Sequence, residues 1–431
     1  MTAATKGIAE SFRRIRERGN DGVWISLFSE DEAISHAKDL EDASRSVPLK
    51  GRTFAVKDNI DLAGLPTTAA CPAFAYTPVR SASVVRRLID AGAVPIGKTN
   101  LDQFATGLNG TRSPYGVPRN FHNPAYISGG SSSGSAIAVA AGLVDFALAT
   151  DTAGSGRVPA AFNNLVGFKP TRGSWSTDGL VPACRTLDCI TVLTRTVDEA
   201  EEVDRVARGF DPEDPYSRFP LDLAPATERR IGVLPESERE FFGDTEYARL
   251  YAEAVERAVA AGWAVSEFDY RPFRETANLL YSGPWVAERY SAARKVIEKN
   301  PEAVHPVVRS IILSAHNYSA VDAFEAQYRL AELARESEET WQWRDALLLP
   351  SAGTIYTVEQ MLADLIQLNS NLGRYTNFMN LLDLCGLAVP AGFRSDGIPF
   401  GVTFFARAWS DALLFDLGRE FERTRTTGSG S

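Results

Sequence analysis

Residues 129–173 read GGSSSGSAIAVAAGLVDFALATDTAGSGRVPAAFNNLVGFKPTRG, and this stretch decides the fold. Two clusters of serine and glycine, at 129–135 and 151–156, enclose an alanine-rich segment and a short apolar run. Alanine favours helix, and Gly142 is typical of a helix end. The apolar run at 144–149 has the length of a strand. The pattern predicts loop, helix, strand and second loop, with backbone N–H groups of the glycine-containing second loop turned toward one point.

The serines allow three other interpretations. The sequence around Ser132 matches the G-x-S-x-G nucleophile elbow, whose chemistry needs a histidine that follows an acid later in the chain. His122 precedes the serine and the chain has four histidines, so a Ser-His-Asp triad is disfavoured. A phosphate-binding loop is weaker still, because neither cluster ends in Gly-Lys-Ser or Gly-Lys-Thr. A flexible linker is disfavoured because the clusters flank segments that are typical of a helix and a strand.

A base other than histidine is available upstream, in residues 54–61, FAVKDNID. An apolar strand here leads into Lys57. Desolvation disfavours the ammonium form, so a lysine at the end of a buried strand loses its proton near neutral pH and acts as a general base. Taken alone, such a lysine is more often a surface charge.

Lys57 and the two serine clusters together resemble the amidase signature family over most of the chain. Alternating strands and helices predict an α/β layered fold, and the resemblance implies a mixed central β-sheet covered by helices on both sides. It also implies a Ser-Ser-Lys triad for amide hydrolysis, with Ser155 as nucleophile, Ser131 as proton relay after a cis peptide, and Lys57 as base. The backbone N–H groups that would surround the oxyanion belong to Thr152, Ala153, Gly154 and Ser155.

The sequence departs from the broad family pattern at Ser133 and Ala153, where glycine is usual, and at Gly156, where isoleucine is usual. Together with VPACRTLDC at residues 181–189 and NLLDLCGLAVPAGF at 380–393, these departures resemble the amidase domain of the allophanate hydrolase branch. The resemblance implies cleavage of the terminal amide of allophanate to ammonia and N-carboxycarbamate through an acyl-enzyme.

The run LYSGPWVAER at residues 280–289 predicts a helix that begins at Pro284, with Ser282 as its cap. Tyr281 would precede this helix and Arg289 would lie on it. The run resembles a stretch of allophanate hydrolases in which the tyrosine and the arginine hold the substrate carboxylate. Arginine offers a carboxylate two parallel, charge-assisted hydrogen bonds. We therefore expect Tyr281 and Arg289 to bind the substrate.

Residues 106–123, TGLNGTRSPYGVPRNFHN, are rich in Gly, Pro and Asn. The segment is long for a structureless connection, which indicates either a functional loop or a disordered one. We expect it to form a wall of the substrate pocket, with Arg112 and Tyr115 either in contact with substrate or structural.

Composition limits the partners. The chain has 431 residues and a formal charge of −10, which argues against nucleic acid or an anionic membrane as its main partner. It contains no apolar run of about 18 residues and its first residues lack the pattern of a signal peptide, so we expect a cytoplasmic protein. The cysteines show no C-x-x-C spacing and the histidines do not cluster, so we expect reduced core thiols and no metal, disulfide or cofactor. These thiols are Cys71, Cys184, Cys189 and Cys385.

The sequence predicts three parts along the chain. Residues 1–46 predict an N-terminal helical segment with one apolar stripe, which either supports a homodimer or packs on the chain's own core. Residues 47–424 are the predicted amidase domain. Residues 425–431 have linker composition and are expected to be disordered. Many allophanate hydrolases continue into a second domain that decarboxylates the product, and we expect this chain to lack it. The stripe consists of Ile8, Phe12 and Ile15.

Two alternatives to the allophanate assignment stay open. One is an amidase that acts on biuret or another small amide, which would not require a substrate carboxylate or Arg289. The other is a subunit that needs partners, like the amidase-type subunit of the tRNA-dependent amidotransferase. Activity of the isolated protein would exclude the second alternative.

Overall fold

Eleven strands form one sheet within the residues that this computed structural model describes, 3–41, 47–221 and 228–424. Their order across the sheet is β1-β3-β2-β4-β6-β5-β10-β11-β9-β7-β8. The strands are β1 Trp24–Leu27, β2 Thr53–Lys57, β3 Val94–Thr99, β4 Phe146–Asp151, β5 Val166–Lys169, β6 Cys189–Thr194, β7 Arg230–Val233, β8 Ala264–Glu267, β9 Ala346–Pro350, β10 Leu384–Phe393 and β11 Pro399–Arg407.

The sheet is mixed, as predicted. Strand β2 pairs in parallel with β3 and β4, and β7 pairs in parallel with β8 and β9. The pairs β1/β3, β4/β6, β5/β6, β5/β10, β10/β11 and β9/β11 are antiparallel. Strands β1 to β6 therefore form one contiguous half of the sheet, and β5 joins it to the half that contains β10.

Helices lie between the strands along the chain. In the described residues they are α1 Ala3–Arg18, α2 Glu30–Glu41, α3 Ser83–Asp90, α4 Ser133–Ala140, α5 Val158–Phe162, α6 Val197–Ala207, α7 Thr245–Ala260, α8 Arg271–Tyr281, α9 Val286–Lys299, α10 Pro306–Leu313, α11 Ala320–Gln342, α12 Val358–Ala363, α13 Gln367–Leu372 and α14 Asp411–Thr424. Helix α4 and strand β4 are the helix and strand predicted between the two serine clusters.

Helices cover both faces of the sheet. Successive side chains of a strand point to opposite faces, and along β4 Phe146 and Leu148 belong to one apolar cluster whereas Ala147 and Ala149 belong to another. The first cluster includes residues of α3, α6 and α14, and the second includes residues of α1, α2 and α4. The predicted α/β fold, a mixed sheet with helices on both sides, is confirmed.

The N-terminal segment packs on the rest of the chain. Ile8, Phe12 and Ile15 of α1 are buried in the second apolar cluster, against residues of α4. Strand β1 lies between α1 and α2 in the chain and pairs with β3. Of the two roles considered for the stripe, the structure shows docking on the chain's own core. The predicted disordered tail at 425–431 lies outside the described residues.

No helix within the described ranges is long and apolar enough to span a bilayer.

Candidate active site

Lys57 is the last residue of β2, and its side chain is completely buried. The Lys57 Nζ atom donates to the hydroxyl of Ser131 over 2.8 Å and to the hydroxyl of Thr150 over 2.6 Å. Residues on β4 are within reach because β2 and β4 are neighbours in the sheet. The strand end therefore delivers the predicted base to the first serine cluster.

Burial changes the chemistry of this lysine. Desolvation lowers the pKa of Lys57 to about 7, although the carboxylates of Asp102, Asp151 and Asp188 act to raise it. Burial has this effect because a medium of low dielectric constant disfavours the charged form. A substantial fraction of Lys57 is therefore a neutral amine near pH 7.

The first serine cluster forms a tight turn that enters α4. The peptide bond between Gly130 and Ser131 is cis, as the resemblance implied. A Cβ atom at Gly130 would overlap the carboxylate of Asp102, so only glycine fits there. The carbonyl of Ser131 accepts a hydrogen bond from the backbone N–H of Asp102 over 3.0 Å. These contacts hold the Ser131 hydroxyl toward Lys57.

Ser155 lies in the second loop and is almost fully buried. Its hydroxyl donates to the carbonyl of Gly107 over 3.5 Å, which is a weak hydrogen bond. Within the described ranges no hydrogen bond joins Ser155 to Ser131. No imidazole there is hydrogen-bonded to Ser132 or Ser155 either, so the structure offers no Ser-His-Asp triad at these serines.

The backbone of the second loop offers three free donors. The N–H groups of Thr152, Ala153 and Ser155 have no acceptor among the described residues. The N–H of Gly154 differs from the prediction, because it donates to the carboxylate of Asp151 over 2.7 Å. Gly154 has a φ angle of +134°, and a Cβ there would lie 2.5 Å from the Thr376 hydroxyl. In this structure the Gly154 amide is therefore already hydrogen-bonded, and the glycine lets the loop pass close to Thr376.

Asp151 holds the second loop together. Its carboxylate accepts from Arg157 Nε over 2.9 Å and Arg157 Nη2 over 3.0 Å, and also from the N–H of Gly156 over 3.1 Å. The Asn380 side chain donates to the Asp151 carbonyl over 2.7 Å and to the Leu187 carbonyl over 2.8 Å. A buried ion pair whose remaining lone pairs are hydrogen-bonded is the favourable case.

Asp188 supports the other side of the same loop. Its carboxylate accepts from the Thr152 hydroxyl and from the backbone N–H groups of Ala183, over 2.7 Å, and Cys184, over 3.1 Å. Burial raises the pKa of Asp188 to about 6. Asp188 thus fixes Thr152 against the segment at 181–189.

Tyr281 and Arg289 contact each other. Arg289 Nη2 donates to the Tyr281 hydroxyl over 3.1 Å, and Arg289 Nη1 donates to the Thr106 hydroxyl over 3.0 Å. The predicted helix start is wrong: α8 ends at Tyr281, and α9 begins at Val286 without a side-chain cap. Arg289 therefore lies in the first turn of α9, and Tyr281 belongs to the preceding helix.

A cavity of about 590 Å³ adjoins these residues. Leu108, Arg112 and Tyr281 are part of its wall, together with residues of α8 and α13. Two residues of the loop at 106–123, Leu108 and Arg112, thus line a cavity; that this cavity receives substrate stays a prediction. Arg112 faces this cavity, whereas Tyr115 packs with a separate small apolar cluster.

Sequence reasoning missed three residues of the site. Thr150 contacts Lys57, Asp188 holds Thr152, and Thr106 contacts Arg289. The available signal was weak: Thr150 is a hydroxyl residue at the end of an otherwise apolar strand, and Asp188 is an acid within a mostly uncharged segment. Thr106 carried no signal, because its partner is far away in the chain.

The fold and site define an α/β protein in which a buried lysine, at the end of an interior strand of a mixed sheet, contacts the first serine cluster, with the second serine loop following the neighbouring strand β4. The family model described as Amidase matches residues 8–415. The chain belongs to the amidase family.

Relatives of two kinds are similar to this chain. It is 45% identical over 408 residues to a urea amidolyase of Lachancea kluyveri, covering 93% of this chain and 22% of that protein. It is 31% identical to a glutamyl-tRNA(Gln) amidotransferase subunit from Salinibacter ruber, covering 95% of each. The solved structure of an allophanate hydrolase from Kluyveromyces lactis matches with a TM-score of 0.94 and 41% identity, covering 100% of this chain and 72% of that one. The chain thus spans less than a quarter of the length of the urea amidolyase.

Proposed function

We propose that this protein hydrolyses the terminal amide of allophanate to ammonia and N-carboxycarbamate. The observation that carries the proposal is the contact of the buried, partly neutral Lys57 with Ser131, beside a loop that holds Ser155 and three unused N–H groups. These are the parts that acyl transfer requires: a base, a nucleophile and an oxyanion site.

Proton transfer begins at the lysine. A neutral amine keeps two hydrogens and gains a lone pair, so Lys57 donates to Thr150 and accepts the proton of Ser131. Ser131 in turn takes the proton of Ser155, whose Oγ attacks the terminal carbonyl carbon. Ser155 has to leave its weak contact with Gly107, and catalytic hydrogen bonds commonly tighten when substrate binds.

The free N–H groups of Thr152, Ala153 and Ser155 stabilise the oxyanion of the tetrahedral intermediate. The C–N bond then breaks, and the leaving nitrogen takes the proton back through Ser131 and departs as ammonia. Water attacks the resulting acyl-enzyme by the same relay in reverse and releases N-carboxycarbamate. These steps require no metal ion or cofactor.

The carboxylate of the substrate is held by Tyr281 and Arg289. Arg289 is buried and forms no ion pair with any described carboxylate. Burial acts to lower its pKa, but Tyr281, Cys184 and the more distant carboxylates of Asp188 and Glu288 raise it. A guanidinium with no directly bound counter-ion suits an anionic ligand. Similarity to the K. lactis allophanate hydrolase over the whole chain supports the same substrate.

Ammonia release by the purified protein tests the proposal, with allophanate, biuret and a simple carboxamide as substrates. We expect wild type to prefer allophanate and Arg289→Ala to lose that preference. If biuret or the carboxamide is the better substrate and Arg289→Ala behaves as wild type, the allophanate assignment is wrong and only a general amidase remains.

The relatives that belong to amidotransferases suggest the main rival, a subunit that works only with partners. The higher identity to the urea amidolyase favours the hydrolase. Ammonia release by the isolated chain excludes the rival, whereas activity that appears only with added partners supports it.

We also propose that the protein works in the cytoplasm as a homodimer. Its four cysteines are buried and unpaired, which suits a reducing compartment. Because the stripe on α1 is used within the chain, a dimer would have to use another surface. Sedimentation velocity measures the mass in solution, and a monomer at micromolar concentration would refute the dimer.

A further inference from the structure

Three arginines line the 590 Å³ cavity, and no described acidic residue lines it. Two of the three share one carboxylate. Arg274 Nη1 lies 2.8 Å from Glu238, and Arg374 Nη2 lies 3.6 Å from the same carboxylate. The third, Arg112, forms no ion pair with any described carboxylate. The cavity therefore has an excess of positive charge, and Arg112 contributes to it.

Arg112 is buried, with 1% of its surface exposed. Its guanidinium donates to two backbone carbonyls, those of Thr106, over 3.0 Å, and Leu365. Its Nε atom is buried without any described partner. A buried charge that is bonded only to neutral groups is costly unless a counter-ion arrives.

The nearby carboxylate of Asp102 attracts the Arg112 guanidinium from a distance but forms no ion pair with it. Its oxygens accept backbone N–H groups of Asn109, over 3.3 Å, Gly110, over 3.0 Å, and Arg112 itself, over 2.9 Å. Asp102 thus holds the loop in shape and makes no contact with the Arg112 guanidinium.

Arg112 and Arg289 meet at Thr106. Arg112 donates to the Thr106 carbonyl and Arg289 donates to the Thr106 hydroxyl. The Nε atom of Arg289 is likewise buried without a described partner. Arg112 and Tyr281 belong to the cavity wall, whereas Arg289 does not. Of the two arginines that meet at Thr106, Arg112 is thus the one that shares the cavity wall with Tyr281.

We propose that Arg112 is a specificity-determining residue, which together with Tyr281 and Arg289 selects substrates that carry a carboxylate beside the reacting amide. This inference rests on the proposed function. Arg112 supplies a second guanidinium, in addition to that of Arg289, on the cavity side of Tyr281. The guanidinium of Arg112, which burial destabilises and Asp102 offsets only from a distance, gains a direct counter-ion when the carboxylate enters, whereas a neutral substrate of the same shape supplies none.

The test compares allophanate with biuret, in which an amide replaces the carboxylate. We expect Arg112→Gln to lower kcat/KM for allophanate at least about tenfold, mainly through KM, and to change kcat/KM for biuret far less. Arg112→Lys keeps the charge without the planar fork, so its allophanate-to-biuret ratio should fall between those of wild type and Arg112→Gln. An equal loss on both substrates would reveal a structural role and overturn the proposal.

Arg274→Gln is the matched control, because it removes another arginine of the cavity wall that already has a carboxylate partner. We expect it to leave the ratio between the two substrates unchanged. If Arg112→Gln does not fold, as judged by circular dichroism, Arg112→Met, which also removes the charge, takes its place, and a wild-type ratio in that variant overturns the proposal. If wild type releases no ammonia from allophanate, both the proposed function and this inference are wrong. If wild type is active and Arg112→Gln keeps the wild-type ratio between the two substrates, only this inference is wrong.

Discussion

The Nζ atom of Lys57 lies 2.8 Å from the hydroxyl of Ser131, and both side chains are inaccessible to solvent. A lysine in water would be charged at neutral pH and would not accept a proton from a hydroxyl. Burial at the end of β2 is what makes the pair chemically useful.

We expect the activity to depend on the protonation of Lys57. Burial lowers the pKa of Lys57 to about 7, and the proposed base is the neutral form. Activity should therefore be low in acid, rise about tenfold per pH unit below pH 7 and level off above it. The measurement is kcat/KM for ammonia release against pH. A midpoint near 10, the value of an exposed lysine, would contradict the assignment.

The same pKa shift affects stability. Between about pH 7 and pH 10 the unfolded chain holds a proton on Lys57 that the folded chain has released, so this residue makes the fold less stable as the pH falls through that window. Lys57→Met removes this contribution. The quantity to compare is the melting temperature of Lys57→Met minus that of wild type. We expect this difference to be more positive at pH 7 than at pH 10, by about a few degrees. An equal difference at both pH values would mean that Lys57 stays protonated in the fold.

Substitution of Ser155 or Ser131 should lower kcat far more than substitution of the neighbouring Ser133. We expect Ser155→Ala to lower kcat at least about a thousandfold and Ser131→Ala at least about a hundredfold, since the first removes the nucleophile and the second the relay. Ser133→Ala is the control, because the Ser133 hydroxyl is buried without a described partner. Its kcat should stay within a few fold of wild type. Near-normal turnover by Ser155→Ala would refute the nucleophile.

We expect Thr150 to support catalysis by orienting the amine of Lys57. Thr150→Val removes the hydroxyl that accepts from Lys57 over 2.6 Å, so the amine loses a contact that orients it. We expect kcat to fall about tenfold and the pH midpoint to move lower, because the ammonium form loses an acceptor. Thr150→Ser keeps a hydroxyl and should retain most of the activity. Equal activity in both variants would show that this hydrogen bond is dispensable.

We expect Asp188 to support catalysis by holding Thr152 in the loop at 151–156, whose free N–H groups are proposed to bind the oxyanion. Its carboxylate accepts three hydrogen bonds, and an asparagine would turn N–H groups toward some of these donors. We expect Asp188→Asn to lower kcat about tenfold to a hundredfold with little change in KM. Asp204→Asn is the control, since Asp204 is also buried, with its pKa raised to about 7, but lies on α6 and accepts from Trp175. A similar loss in both variants would indicate general destabilisation.

Much of the fold could be predicted from local patterns in the sequence. The alanine-rich segment and the apolar run that follows it became α4 and β4, because propensity and burial agree there. The position of Lys57 at a buried strand end was also readable, since the apolar run stops at that residue.

Other features depend on contacts between distant segments and had no local signature. The amide of Gly154 is taken by Asp151, which depends on the loop backbone adopting φ +134° and not on the order of residues. The predicted start of α9 lies two residues too early, because the proline rule describes a local preference, whereas Pro284 and Trp285 form a turn between α8 and α9. Arg112 and Arg289 meet at Thr106, and Arg289 is 183 positions from Thr106 in the chain. A contact between such distant residues leaves no local pattern in the sequence.

The strand order also has a consequence for biosynthesis. Strands β1 to β6 are adjacent in the sheet and are made before the other five strands, together with Lys57, Ser131 and Ser155. The outer edge of that half is β5, whose partner β10 begins only at Leu384. At about 5 to 20 residues per second, β5 remains an open edge for roughly 10 to 40 seconds of translation. Because open edges recruit other strands, we expect the nascent chain to be most prone to aggregation, and most dependent on chaperones, in that interval.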